Sequence, residues 1–245
     1  MSPHILGLTG TICSGKSTLM RYCCSQVGTR GIDVDKEAHA VYTYPAAGSE
    51  AERARKRGEN VFCEVVSTFG TLQDLQAVQH LGMPPAGGAA RVGDALLSPS
   101  LAIDRRVLGS IVFASPPLLA SLEAIVWPAV ATRVNRLINS IRTEEVAKEA
   151  ARADDRVDVV VVEAALLPRM SQLLDLCDSV WGTSCSVAEQ RKRLAERWPD
   201  MPEAERERRR EAGISEEEVR RVASVVICTN GHTDEVQAEA GGGPG

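Results

Sequence analysis

Apolar residues in this chain fall into short unbroken runs separated by longer stretches where they recur every three or four positions. The first run, Ile5 to Leu8, predicts a strand, and Leu19, Met20, Cys23, Cys24 and Val27 follow at helical spacing. Ile32 to Asp35 predicts a second short strand, with a helix from Lys36 to Tyr42 that Pro45 stops. Val157 to Val162 is apolar apart from Asp158, the pattern of a strand buried on both faces of a parallel sheet. Asp178 to Thr183 and Ser224 to Cys228 predict two further strands. Helical spacing predicts helices over Val61 to Phe69, Ile103 to Phe113, Pro116 to Trp127 and Val130 to Ile141, the third ending at Trp127-Pro128. Ser49-x-x-Glu52, Ser186-x-x-Glu189 and Ser215-x-x-Glu218 read as capping boxes opening three more. Strands alternating with helices define an α/β fold with a parallel sheet flanked by helices.

Two segments break the pattern. From 82 to 99 the chain turns to Gly, Pro, Ala and Ser, as in an exposed loop insertion, and 143 to 155 is charged and reads as a second, solvated insertion. The Gly-rich end from 238 to 245 reads as a flexible tail.

The chemistry is concentrated after the first strand. Gly10-Thr11-Ile12-Cys13-Ser14-Gly15-Lys16-Ser17, with Thr18 behind it, matches GxxxxGK[ST] and lies between a predicted strand and a predicted helix, the context that motif requires. Gly10 and Gly15 let the backbone turn tightly so that successive amides face phosphate oxygens, and the helix adds the positive end of its dipole. Lys16 supplies a point charge for the β/γ-phosphates, and the Ser17 hydroxyl suits Mg²⁺. Glu163, ending the third strand, is placed to hold Mg²⁺ directly or through water; the alternative is a plain strand-end polar residue. Asp33 stands at the C-terminal edge of the second strand, where an acid faces a substrate hydroxyl, caps a helix or meets solvent, and Asp35, directly before a helix, reads as its cap. Arg193 and Arg197 sit on the helix after Ser186, suited to close over a transferring phosphoryl group. The run Arg206 to Arg210 reads equally well as an exposed face interleaved with Glu. The fold expected is therefore a P-loop NTPase-type sheet.

Composition adds limits. A chain of 245 residues, 44% hydrophobic and only 4% aromatic, with a net charge of −5, supports a sizeable core and argues against general nucleic-acid affinity. Seven cysteines without CxxC or zinc spacing fit a reducing compartment, and no run reads as a membrane span or signal, so a cytoplasmic location is expected with no obligate protein partner. Neither an NKxD nor a DxxG segment is present, which argues against a GTPase switch.

With these residues the chain resembles the dephospho-coenzyme A kinase family. The resemblance runs from Gly7-Leu-Thr-Gly10 and Ser14 to Thr18 through Asp33-Val-Asp35-Lys36, Phe69-Gly70, Ile103-Asp104-Arg105 with Leu108 and Phe113, Leu122-Glu123-Ala-Ile125 and Pro128-Ala-Val130. It continues in Leu166-Leu167, Gln190-Arg191, Arg193-Leu194 and Arg197. It implies a single kinase domain: a core over 1–44, 156–185 and 223–237, an inserted helical acceptor lobe over 45–142, and a helical lid over 186–222. It implies Mg²⁺-dependent transfer of the γ-phosphoryl of ATP to the 3′-hydroxyl of dephospho-coenzyme A. Asp33 would orient or deprotonate that hydroxyl, Arg105 would help shape the acceptor site, and Lys16 and Arg197 would act on the phosphates. The family usually has Gly-Gly-Ile-Gly where this chain has Gly10-Thr11-Ile12-Cys13, and Asp and Pro at Glu163 and Ala165. Trp127 takes the place of a His, and a lid Gln is replaced near Gly213. Competing readings are another small-molecule P-loop kinase, acting on a nucleoside monophosphate or small alcohol, and a non-catalytic nucleotide-binding regulator.

Overall fold

The computed structural model describes residues 2–57, 59–81, 92–151 and 156–230. Among them, five strands form one parallel sheet: β1 (His4–Gly10), β2 (Thr29–Asp33), β3 (Val159–Glu163), β4 (Ser179–Ser184) and β5 (Val225–Cys228). Their order is β2-β3-β1-β4-β5, so β1 lies in the middle with both neighbours hydrogen-bonded. Its register pairs Leu8 with Glu163 on one side and Gly10 with Thr183 on the other. Ile5, Leu8, Val160, Val161 and Val162 are fully buried, which explains why the sequence of β3 shows no alternation.

The helices are α1 (Lys16–Ser25), α2 (Val34–Val41), α3 (Glu50–Lys56), α4 (Val61–Phe69), α5 (Leu72–Ala77), α6 (Arg105–Val112), α7 (Pro116–Ala151), α8 (Ser171–Leu174), α9 (Val187–Arg197), α10 (Glu203–Ala212) and α11 (Glu216–Val222). The chain divides into two compact units, one comprising Met1–Asp35 with Val134–Gly245 and the other Lys36–Arg133. The first holds the whole sheet; Leu6, Leu8, Leu19, Val161 and Ile227 form one of its apolar clusters. The second is helical, and Val61, Phe62, Val65, Val66 and Phe69 of α4 are all buried.

Four expectations are corrected. The helix predicted to stop at Trp127-Pro128 continues unbroken as α7, with Pro128 inside it. A mid-helix proline costs about 3 kcal/mol. The stripe Val126, Val130, Val134, Ile138 and Ile141 is buried on both sides of it, at about 1.5–3 kcal/mol per side chain, so packing prevails. That continuity also turns 143–151 from insertion into helix; residues 152–155 lie outside the described residues, as do 82–91 and the tail. Glu145 is buried there, accepting from the Val157 amide at 2.8 Å and pairing with Lys148 at 3.3 Å, which ties the end of α7 to the approach of β3. Unbroken, the helix over Pro116–Lys148 is long enough, and within an 18-residue window apolar enough, to cross a membrane by length and composition alone, a run that the expected break at Pro128 divides. The buried stripe is the pattern of a helix packed on protein along one face.

The second half of the predicted exposed loop is also docked. Leu96 and Leu97 are buried, and their amides donate at 2.8 Å to the two oxygens of Asp74. The same carboxylate accepts from the Thr71 amide and hydroxyl, both at 2.7 Å, closing a capping box on α5 that the sequence reading did not identify. Burial alone would push the Asp74 carboxyl up, but these donors hold it below the ordinary range. Finally, Asp35, expected as a cap, lies within the first turn of α2.

Asp74→Ala strands four donors, two of them the only fixings of Leu96 and Leu97 to α5 described in this structure. We expect a loss of about 2–4 kcal/mol in thermal or denaturant unfolding. A loss below about 1 kcal/mol would show that water replaces the carboxylate.

Candidate active site

The loop from Gly10 to Gly15 leaves the central strand at the carboxyl edge of the sheet, where open α/β sheets bind ligands. Gly10 has no room for a side chain, since a Cβ there would come within 2.0 Å of Thr183 Oγ1 and 2.7 Å of the Thr183 carbonyl. Gly15, the residue before α1, has φ +80°, which costs nothing only without a Cβ. The opening amides of α1 have no acceptors within their own helix and form the positive end of its dipole.

Three side chains converge beside the loop. Lys16 Nζ lies 2.7 Å from Glu163 Oε1, and Ser17 Oγ donates to the same oxygen at 3.0 Å. The Lys16 and Glu163 side chains are only 14% and 10% exposed, so the pair is shielded from bulk water. Asp33 stands opposite Glu163 in the β2–β3 register, which puts both acids on one edge of the sheet. A hydroxyl and a carboxylate sharing one point beside an ammonium are hard oxygen donors of the kind Mg²⁺ takes when phosphates and water complete its shell, so these residues fit that ion.

The two α9 arginines are placed differently. Arg197 lies over the Trp198 ring at 4.7 Å and against the Cys13 thiol, whose pKa is raised by burial against the opposing pull of Arg197 and then Arg193. Arg193 is committed to the backbone: Nη1 donates to the Cys13 carbonyl at 3.1 Å and to Thr229 Oγ1 at 3.2 Å, while Nε pairs with Glu189 at 2.8 Å. The run Arg206 to Arg210 takes its bland reading. Arg206 donates to the Trp198 and Met201 carbonyls, Arg208 and Arg209 pair with Glu205, and Arg191, with Arg210 second, pulls Glu207 down to about 2. At the other end of the predicted lid, Arg169 grips Glu218 through two bonds of 2.8 and 3.2 Å. A Cβ on Gly213 would come 3.8 Å from the Cβ of Ile12, so this segment passes over the phosphate loop.

Arg105 opens α6 in the helical unit, capped by Asp104, with Nη1 3.2 Å from His39 Nε2 of α2. Tyr42 is close enough to Arg105 to have its burial-raised pKa lowered in part by it. His39 was not singled out in the sequence, where a lone His carries no pattern.

The departures in the loop prove to be used. Thr11 is buried, its amide bonded to the Thr183 carbonyl at 3.2 Å and its hydroxyl accepting from Gln190 at 3.3 Å. Cys13 has φ +55°, a left-handed conformation that side chains rarely adopt. Ser14 Oγ lies 2.6 Å from Thr183 Oγ1 and donates to the Thr11 carbonyl at 2.7 Å. Thr183 and Thr229 were missed; their signal is a hydroxyl at the carboxyl end of a strand, where the loop passes.

A central parallel strand, a lysine-bearing glycine loop, a hydroxyl and a strand-end acid define a P-loop kinase. The model of the dephospho-CoA kinase family matches residues 89–235. A dephospho-CoA kinase of Geobacter sulfurreducens is 30% identical over 234 residues, covering 96% of this chain and 93% of that protein. One of Thermobifida fusca is 30% identical over 233 residues, covering 95% and 90%. A crystal structure of TT1252 from Thermus thermophilus covers all of both chains at 23% identity and a TM-score of 0.58, a likeness of fold. This chain belongs to the dephospho-CoA kinase family.

Cys13→Gly and Cys13→Ala both delete the thiol and differ only in the Cβ. At φ +55° we expect the Gly variant to be the more stable by about 1 kcal/mol, or about 2–4 °C in a thermal melt. An Ala variant that melts higher would refute the strain at this position.

Proposed function

We propose that this kinase transfers the γ-phosphoryl group of ATP to the 3′-hydroxyl of dephospho-coenzyme A, giving coenzyme A and ADP, the last step of coenzyme A synthesis. The observation that carries the phosphoryl-transfer reading is the register of β2 on β3, which sets Asp33 beside the Glu163 that Lys16 and Ser17 share. The acceptor is supported by relatives of that name along most of the chain.

In this reading the loop from Gly10 to Thr18 holds the β- and γ-phosphates through amides other than those of Thr11, Ser14 and Thr18, which donate to Thr183, Thr11 and Gly15, and Lys16 turns from Glu163 toward the phosphate oxygens. Ser17 and Glu163 would hold Mg²⁺, directly or through water, and the ion would supply positive charge against the phosphates. Asp33 orients the acceptor hydroxyl and receives its proton. Arg105 contacts the acceptor from the acceptor lobe, residues 45–142. The lid comprises α9 to α11, and within it Arg197 meets the charge that develops as the phosphoryl group leaves. Positioning and electrostatics supply the rate, since the protein forms no covalent intermediate. All seven cysteines are free thiols, in keeping with a reducing compartment, which we take to be the cytoplasm.

The test is ADP release from ATP and Mg²⁺ with dephospho-coenzyme A, nucleoside monophosphates and small alcohols as acceptors. Turnover is expected with dephospho-coenzyme A. Preference for another acceptor would overturn that assignment, and ATP binding without turnover on any would make the chain a nucleotide-binding regulator. Asp33→Asn should lower turnover and leave ATP affinity within about twofold; loss of ATP binding would remove Asp33 from the acceptor side.

If Arg197 stabilises the transferring group as an arginine finger, Arg197→Ala should cost about 10³- to 10⁵-fold in turnover, roughly 4–7 kcal/mol. An effect below tenfold in a steady-state assay would rule that role out.

A further inference from the structure

A phosphate loop can aim its amides inward only if the carbonyls between them turn outward and find donors there. Here those donors are distinct. The Thr11 carbonyl takes the loop's own Ser14, its hydroxyl at 2.7 Å and its amide at 3.2 Å. The Cys13 carbonyl takes Arg193 Nη1 at 3.1 Å, and the Ser14 carbonyl takes Thr229 Oγ1 at 2.9 Å. The last two form a single device. Arg193 Nη1 also reaches Thr229 Oγ1, and Nη2 donates to the Thr229 carbonyl. Thr229 is itself fixed by its amide to the Ser184 carbonyl at 2.8 Å and is 2% exposed. The two carbonyls that Arg193 and Thr229 grip are those of Cys13, the one non-glycine residue of the loop with positive φ at +55°, and of Ser14 directly after it.

We infer that Thr229 and Arg193 form a positioning strut that holds the two successive peptides Cys13–Ser14 and Ser14–Gly15 in the orientation that lets the loop bind nucleotide phosphate. Glycine at 13 would adopt that orientation without steric cost, whereas cysteine must be held in it from outside. The Thr229 hydroxyl has one proton, and the Ser14 carbonyl is its nearer acceptor, with the Ser184 carbonyl at 3.2 Å. The role assigned to Arg193 thus differs from that of Arg197 four residues on. Arg193 shapes the loop from behind and does not touch the reacting phosphate.

The inference rests on the reading of Gly10 to Thr18 as the ATP-phosphate site, so its test measures ATP affinity without any acceptor. Thr229→Val removes the hydroxyl at nearly constant volume, and Thr229→Ser keeps it. Calorimetric titration with ATP and Mg²⁺ should give a Kd raised about tenfold in the Val variant and within twofold of the parent in the Ser variant. The acceptor KM should stay within twofold in both. Adding Cys13→Gly to Thr229→Val should recover at least half of the lost affinity on a logarithmic scale, since glycine needs no external grip. If the Val variant does not fold, Thr229→Ala and Arg193→Lys should show the same selective loss for ATP. A Val variant that binds ATP like the parent, a Ser variant as weak as Val, or a loss shared equally between ATP and acceptor would overturn the strut. A parent that binds ATP but does not phosphorylate dephospho-coenzyme A would defeat the proposed function and leave the strut standing. A parent that does not bind ATP would overturn both.

Discussion

Everything in the sheet-bearing unit depends on one backbone requirement: the turn after β1 must present amides on one side while its carbonyls are satisfied on the other. The central place of β1 meets it. With β3 and β4 hydrogen-bonded on either side, the end of β1 is fixed, and Gly10 packs so tightly on Thr183 that no side chain fits. The neighbouring strands then supply the chemistry by register alone. Glu163 at the end of β3 lies next to Leu8, and Asp33 at the end of β2 lies next to Glu163, so two carboxylates arrive beside the loop without any long-range loop closure.

The same economy governs the arginines. Arg191, Arg206, Arg208, Arg209 and Arg210 are engaged by Glu residues or carbonyls of α9, α10 and the turn between them, which makes the hairpin a self-contained element. Most of these pairs are exposed and individually weak, so they orient the hairpin more than they stabilise it. At its far end the bidentate Arg169–Glu218 contact, with the Ser215 cap, draws the Glu218 pKa down to about 2. That anchor persists above the ordinary carboxylate pKa and weakens only as pH falls toward 2. Arg197 is the arginine of α9 that meets both a ring and the loop thiol, stacked over Trp198.

Much of this was legible in the sequence because it is local. The GxxxxGKS spacing, the apolar run of β3 and the acids ending β2 and β3 each state their role within a few residues. The five strands came out within three residues at each end for the same reason. What was illegible is set by distant partners. Pro128 looked like a stop because the buried face that carries α7 through it is defined by residues on both sides, and 143–151 looked solvated because the partner of Glu145 is the Val157 amide, twelve residues on. Asp74 gave no sign of gathering Leu96 and Leu97, since a cap of Thr and Asp escapes a search for Glu or Gln, and the two amides belong to a segment whose composition reads as loop.

The substituted loop positions show why family resemblance and local physics must be weighed together. Two glycines exchanged for Thr11 and Cys13 predict a disturbed loop if each is judged by backbone freedom alone. In the structure each substitution is met by partners from a different strand or helix. The Thr11 hydroxyl is held by Gln190 and its amide by Thr183, and the carbonyls of Cys13 and Ser14 are held by Arg193 and Thr229. The loop therefore keeps the geometry that glycine gives freely by drawing on hydrogen bonds from α9 and the end of β5. A cost of about 1–3 kcal/mol for a strained residue is of the same order as two buried hydrogen bonds, one of them from a charged donor, so the exchange balances. Loop conformation in this chain is accordingly a property of the surrounding sheet and lid helix as much as of the loop's own residues.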